Sequence, residues 1–198
     1  MFNELIDRYP CLVECREDIE RAFEMIKNCY SQGGKLLLCG NGGSCADCDH
    51  IVGELMKGFL LKREVVDERL PENIRSSLQY GLPAISLSAH SATLTAFMND
   101  VDPAMVYAQL LYGYAKPTDL FIGISTSGNS ENVVNAALVA SAIGIPVVVL
   151  TGKRDSKLSE IADVAIRVPE TETFKVQELH LPVYHYLCAA TEAHFFEK

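Results

Sequence analysis

His50-Ile51-Val52-Gly53-Glu54 sets an imidazole and a carboxylate four residues apart. On a helix, positions i and i+4 share a face. Such a pair can grip one divalent metal or work as an acid/base couple. It also occurs as a plain capped or solvated pair on a helix surface. A second polar group, Gln177, His180 and His185, interrupts an otherwise largely apolar stretch near the C-terminus. If buried, these side chains need partners, either hydrogen-bonding neighbours in the core or a ligand.

Two further stretches suit an anion. Ser125-Thr126-Ser127-Gly128-Asn129-Ser130 follows the apolar run Leu120–Ile124 and carries four hydroxyls in six residues. Ser130-Glu131-Asn132-Val133 reads as a helix start. Hydroxyls and free helix N–H groups together make a phosphate cradle that needs no lysine. Helix capping accounts for Ser130 alone. Gly40-Asn41-Gly42-Gly43-Ser44 follows the run Lys35–Cys39. Its glycines let the backbone approach a ligand closely, or simply make a tight strand-to-helix turn. It is not a GxGxxG fingerprint, so no dinucleotide is read here.

These loops need a scaffold to hold them. Short apolar runs at Lys35–Cys39, Ala84–Leu87, Leu120–Ile124, Val147–Leu150 and, more weakly, Val164–Val168 alternate with helical stretches. That pattern predicts an α/β fold, a doubly wound three-layer sandwich with a central parallel sheet. Ligands in such sheets bind beyond the carboxyl ends of the strands. Both loops fall there. Residues 3–30 carry apolar side chains at helical spacing, with Pro10 near a break. The segment Leu61–Leu82 is polar and irregular, with a short helix expected around Glu72–Gln79 and Pro71 at its start. The last helix is expected over about Lys175–Phe196, with a kink at Pro182.

Bulk properties narrow the classes. The chain has 198 residues, 48% of them apolar and 22% charged, which fits one globular domain. A net charge of -9 argues against broad nucleic-acid binding, which relies on Lys and Arg. No apolar stretch reaches the ~18–20 residues of a membrane span. The N-terminus lacks a signal-peptide layout. Seven cysteines, an odd number, read as free thiols in a reducing compartment, so a cytoplasmic setting is expected. Cys45 and Cys48 with His50 look like half a zinc module, but no second closely spaced pair completes one.

Taken together, GNGGS, HxxxE, STSGNSENV after a strand, LTGK at 150–153 and QExHxxxxH resemble a sugar isomerase (SIS) domain. The pattern is most similar to the phosphoheptose isomerase, or sedoheptulose 7-phosphate isomerase, family. The resemblance covers most of the chain. It implies one SIS domain over residues 1–198, in which residues 1–30 form a helical extension used in oligomerisation. It implies a homotetramer with active sites between subunits, acting on a sugar phosphate without nucleic acid or membrane. Ser44, Ser125, Thr126, Ser127 and Ser130 would hold the phosphate. Asn41, Gly42, Gly43 and Gln177 would also contact substrate. His50, Glu54, Gln177 and His185 match the zinc-site pattern, and Glu54 and His185 match the general acid/base pair. The implied reaction converts sedoheptulose 7-phosphate to D-glycero-D-manno-heptose 7-phosphate through an enediol.

Ketose–aldose isomerisation suits these residue types. It needs a base and an acid near two adjacent carbons, and a donor or Lewis acid for the oxyanion. Gln177 and His185 lie eight apart, a rise of about 12 Å in a straight helix. Both reach one metal only if Gln177 precedes the regular helix, if Pro182 bends it, or if two subunits contribute. His180 is the rival ligand. His90 and Phe174 stand where the family has acidic residues, and Gly58 where it has a basic one, with Lys57, Lys62 and Arg63 close by, which leaves the substrate more open than the reaction. The alternatives are an isomerase of another sugar phosphate, or a non-catalytic SIS protein that binds sugar phosphates or assists the replication initiator. His50, Glu54 and His185 argue against the latter. A sugar-sensing regulator would need a DNA-binding domain for which residues 1–30 are too short and acidic.

Overall fold

The computed structural model describes residues 1–197. The chain begins with α1 (Phe2–Arg8), a 3-10 segment (Pro10–Cys15) and α2 (Arg16–Ser31). The helical region expected over 3–30 is therefore divided at Pro10, which cannot donate a backbone hydrogen bond. Leu5, Leu12, Ile19 and Ile26 from these pieces still bury in one core. Glu17 and Asp18 sit in the first turn of α2, where the helix dipole favours negative charge.

Next come β1 (Leu36–Gly40), α3 (Gly43–Met56), α4 (Glu72–Arg75), β2 (Ala84–Ser86), α5 (Ser91–Asp100), α6 (Val106–Tyr114) and β3 (Leu120–Ile124). The chain ends with α7 (Glu131–Ala142), β4 (Val147–Thr151), α8 (Lys157–Ile161), β5 (Val164–Arg167) and α9 (Thr173–Phe196). Every strand expected from the apolar runs forms. The sheet is parallel throughout, in the order β2-β1-β3-β4-β5. All residues of β1, β3 and β4 are buried, as continuous apolar runs in a two-sided sheet require.

Alternation along the strands separates two cores. Leu36 and Leu38 point to the side covered by α1, α2, α3 and α9. Leu37 and Cys39 point to the side covered by α6, α7 and α8, with α5 at its margin. This is the doubly wound sandwich that the pattern predicts. α4 is shorter than the helix expected over 72–79, and Pro71 is its cap residue. α9 starts at Thr173 and runs on through Pro182. Gln177 therefore lies inside the regular helix, which removes the option that it precedes it.

The irregular segment after α3 is firmly anchored. The Glu192 carboxylate of α9 accepts backbone N–H groups of Phe59, Leu60 and Leu61 at 2.7, 2.6 and 3.0 Å. Arg63, fully buried, donates Nε to the same carboxylate at 2.7 Å. Its Nη1 and Nη2 donate to the carbonyls of Leu55 and Glu54, at 2.6 and 3.1 Å. One buried ion pair thus closes the C-terminal end of α3 and pins the loop that follows.

Candidate active site

The strand order reverses between β1 and β3, so the loops after these strands diverge and leave a crevice. In this topology that crevice is the ligand position. Asn41 and Asn132 tie the two loops together by a reciprocal amide pair at 2.8 and 3.0 Å. Tyr107 supports the first loop by donating to the Gly40 carbonyl at 2.9 Å. Gly42 adopts φ 56 and ψ -120, a backbone conformation that demands glycine. It turns the chain directly into α3, whose second residue, Ser44, is buried.

On the other side, Ser125 and Ser130 join their hydroxyls at 3.0 Å. Ser130 is the cap residue of α7, yet its side chain makes no capping hydrogen bond. Capping therefore does not account for it. Asn129 donates its backbone N–H to Ser127 Oγ at 3.2 Å. The carbonyl of Thr126 accepts from Gly152 at 3.1 Å, which braces the loop against the end of β4. The amides of Ser44 and Cys45 in α3 and of Val133 in α7 already bond the Asn41, Gly42 and Ser130 carbonyls, so the amides before them, of Gly43, Glu131 and Asn132, are the candidate anion donors.

Further along α3, His50 Nε2 lies 3.1 Å from Glu54 Oε1. Glu54 Oε2 is buried without a hydrogen bond, with Lys57 Nζ 3.8 Å away. The His185 ring of α9 meets the His50 ring edge-on, centroids 5.1 Å apart. Burial, then the nearby His50, lowers the His185 pKa below the usual histidine range, while Glu54 opposes the shift. A neutral His185 at pH 7 can accept a proton. It lines an open cavity of about 400 Å³ with Arg8, Tyr9, Phe59 and Pro182.

Gln177 is elsewhere. Its side-chain amide packs against Gly43, at the anion end of α3. α3 and α9 therefore run side by side in one direction, Gln177 level with Gly43 and His185 level with His50. His180 is fully buried, with Nε2 3.3 Å from the Thr151 carbonyl and Nδ1 without a partner. Burial lowers its pKa to about 4. It is a core histidine, and the rival-ligand reading falls away. Among the described residues, no group of three or more His, Cys, Asp and Glu side chains is arranged to hold a metal.

The SIS domain family model matches residues 11–152. A phosphoheptose isomerase from Crocosphaera subtropica is 37% identical over 93% of this chain and 85% of its own length. One from Rhodospirillum rubrum is 36% identical, over 94% and 90%. The structure of phosphoheptose isomerase from Neisseria gonorrhoeae superposes with a TM-score of 0.75 at 27% identity, covering 96% of this chain and 98% of the other. The chain belongs to the phosphoheptose isomerases of the SIS-domain family. It is accordingly a sugar-phosphate isomerase.

Within this SIS domain, Asn41, Gly42, Gly43, Ser44, Ser125, Thr126, Ser127 and Ser130 converge on the β1/β3 crevice, with Gln177 against Gly43. His50, Glu54 and His185 form a second group farther along α3. One protomer does not bring Gln177 to that group. The positions that depart from the family pattern have physical explanations in part. A β-carbon on Gly58 would collide with the Leu61 carbonyl, so the anchored loop excludes a side chain there. His90 caps α5 with its ring 5.3 Å from that of Tyr114 and its Nε2 buried without a partner. Phe174 is 56% exposed, and nothing in the structure explains it. Cys48 is buried, which pushes its thiol well above the ordinary range and makes it inert, while Cys45 is half-buried. All seven cysteines are free.

Sequence reasoning missed Asp47, Tyr184 and Glu192, and read Arg63 only as a basic residue close to position 58. Asp47 precedes His50 by three, a helical-face signal that was available. Tyr184, Arg63 and Glu192 act through contacts with residues more than a hundred positions away, or through loop backbone, and leave no local pattern.

Proposed function

We propose that this chain converts sedoheptulose 7-phosphate to D-glycero-D-manno-heptose 7-phosphate, with a zinc ion at His50, Glu54 and His185. The observation that carries the reading is the placement of the acid/base pair Glu54 and His185 on the same two helices that begin at the serine-lined crevice. Ser44 and His50 lie six residues apart on α3, about 9 Å of rise. That spacing suits an extended sugar with its phosphate at one end and its carbonyl at the other.

The zinc reading has support in the donor set. With the His50 proton on Nδ1, Nε2 and Glu54 Oε1 are two acceptors facing each other at 3.1 Å. Such a pair calls for a cation between them, and the separation is close to that of neighbouring ligands on a tetrahedral zinc ion. The buried Glu54 Oε2 and the adjacent His185 ring supply further donors. The residues fit. A bound zinc ion would polarise the substrate oxygens as a Lewis acid. Gln177 of the same protomer stays at the phosphate end, so the reading takes the fourth donor from another subunit of a homotetramer, with residues 1–30 in the contacts.

The residues of the chain do the proton work. Ser125, Thr126, Ser127 and Ser130, with the amides at the start of α7, bind the phosphate. Glu54 takes the proton from the carbon beside the carbonyl, giving the enediol. His185 relays a proton between the two oxygens, and return of the carbon proton to the neighbouring carbon completes the shift. No helix among the described residues is long and apolar enough to cross a membrane. The seven free thiols agree with a reducing, cytoplasmic setting.

A coupled isomerase assay with sedoheptulose 7-phosphate, with and without a zinc chelator and beside Glu54→Gln, tests the reading. Chelator-sensitive turnover that drops by about 10²–10⁴ in the variant is expected for loss of a general base. Phosphate binding without turnover by the wild type would reject this substrate. The altered positions His90 and Phe174 would then direct a screen of other ketose phosphates.

A further inference from the structure

Tyr184 precedes His185 on α9 and is only 2% exposed. Its hydroxyl nevertheless lies between two polar side chains of α3. Oη is 3.0 Å from His50 Nδ1 and 3.1 Å from Asp47 Oδ1. Asp47 and His50 are three residues apart, on one face of their helix. Tyr184 is the only hydrogen-bond partner of Asp47 side-chain oxygens among the described residues, and Oδ2 is buried without one. The carboxylate thus neither caps the helix nor bridges a cation.

The direction of the two bonds follows from chemistry. An ionised carboxylate only accepts, so the Tyr184 hydroxyl donates to Asp47. With its hydrogen committed, Oη can only accept from His50. Nδ1 of His50 then carries a hydrogen. In the neutral ring the lone pair is left on Nε2, the atom that faces Glu54. Without this chain the preference reverses. A neutral His50 would keep its hydrogen on Nε2 and donate it to Glu54, which blocks both atoms as ligands.

We infer that Tyr184, backed by Asp47, is a positioning residue that holds His50 as the Nδ1–H tautomer and aims the Nε2 lone pair at the metal position. This deepens the zinc reading and, for its metal-binding consequence, rests on it. The rings of Tyr184 and His50 also meet edge-on at 5.5 Å, and those of Tyr184 and His185 at 5.1 Å. Phenylalanine at 184 keeps that packing and removes only the hydroxyl.

The test compares wild type, Tyr184→Phe and Asp47→Ala in two measurements. Zinc affinity is read by competition with a chromogenic chelator. The His50 Nδ1 proton is read by NMR in the metal-free protein, as a slowly exchanging downfield resonance. A ten- to hundredfold loss of zinc affinity is expected in Tyr184→Phe, the usual effect of removing a partner of a ligating histidine. Asp47→Ala frees the Tyr184 hydrogen to turn toward His50, and the same direction of change is expected. The Nδ1 resonance should be present in wild type and lost in both variants. Should Tyr184→Phe fail to fold, Asp47→Ala decides alone. Zinc affinity within twofold of wild type in the folded variants overturns the inference, as does a wild type without the Nδ1 resonance. A wild type that binds no zinc sinks the zinc reading instead. The resonance then decides the tautomer assignment by itself.

Discussion

The side-chain amide of Gln177 occupies the space that a β-carbon on residue 43 would need. The glycine that opens α3 and the glutamine near the start of α9 are therefore matched parts of one end of the site. Adding a methyl at 43 would displace the amide, and only the tip of a flexible side chain has to move. We expect Gly43→Ala to fold with a melting temperature close to wild type. Its KM for the sugar phosphate should rise by about tenfold, equivalent to about 1.4 kcal/mol. Steady-state kinetics beside a thermal melt check this. Unchanged kinetics would detach Gln177 from the substrate.

Ser130 gives a complementary prediction. Its hydroxyl bonds Ser125 and not the helix amides, so it contributes little as a cap. Ser130→Ala should change stability by less than the ~1 kcal/mol typical of cap removal. Phosphate binding should weaken by tenfold or more, because a hydrogen bond to a charged group contributes about 1.5–3 kcal/mol. Inhibition by inorganic phosphate and a urea melt, measured on the same variant, separate the two roles. A large stability loss with unchanged inhibition would return Ser130 to a capping role.

The strands and the two glycine- and hydroxyl-rich loops that follow β1 and β3 were legible in sequence because their signals are local. Continuous apolar runs such as Val147–Leu150 have one good solution, a buried parallel strand. Hydroxyls packed into 125–130 exceed what a cap needs. His50 and Glu54 were legible because helical spacing alone sets them on one face. Which of His180 and His185 faces the site was not legible. Both are histidines on the same helix, and only the packing of α9 against β4 and α3 decides that His180 meets Thr151 while His185 meets His50. The break at Pro10 was visible, and so was a last helix that carries Pro182 inside it.

His180 predicts an acid sensitivity. Its folded pKa of about 4 lies below the unfolded value of 6.5. Below 6.5 the unfolded chain binds a proton that the folded chain refuses, so stability falls as pH drops and the loss is complete near 4. The shift corresponds to roughly 3 kcal/mol. Urea melts at pH 7.5 and 4.5 should show a smaller pH dependence for His180→Gln than for wild type. Equal slopes would mean that His180 is not held neutral by its surroundings.

Arg63 and Glu192 make the strongest stability prediction. Both are almost wholly buried, and the carboxylate also receives three backbone N–H groups. Burial alone would raise the Glu192 pKa, but the amides of Phe59 and Leu60 and the Arg63 guanidinium outweigh it and hold the value below the ordinary carboxylate range. The stability this supplies is present above the unfolded pKa and is lost as pH falls through the lower folded value. Removing one partner leaves the other charge buried, so Glu192→Gln should cost about 3–5 kcal/mol. The double variant Arg63→Met with Glu192→Gln should cost less than Glu192→Gln alone, because no orphaned charge remains and the glutamine oxygen still accepts loop amides. Arg63 also holds the carbonyls of Glu54 and Leu55, so the double variant frees the end of α3. We expect it to regain stability while kcat stays low. Denaturant melts and steady-state kinetics on the three proteins test this, and full recovery of kcat in the double variant would show that Glu54 needs no support from Arg63.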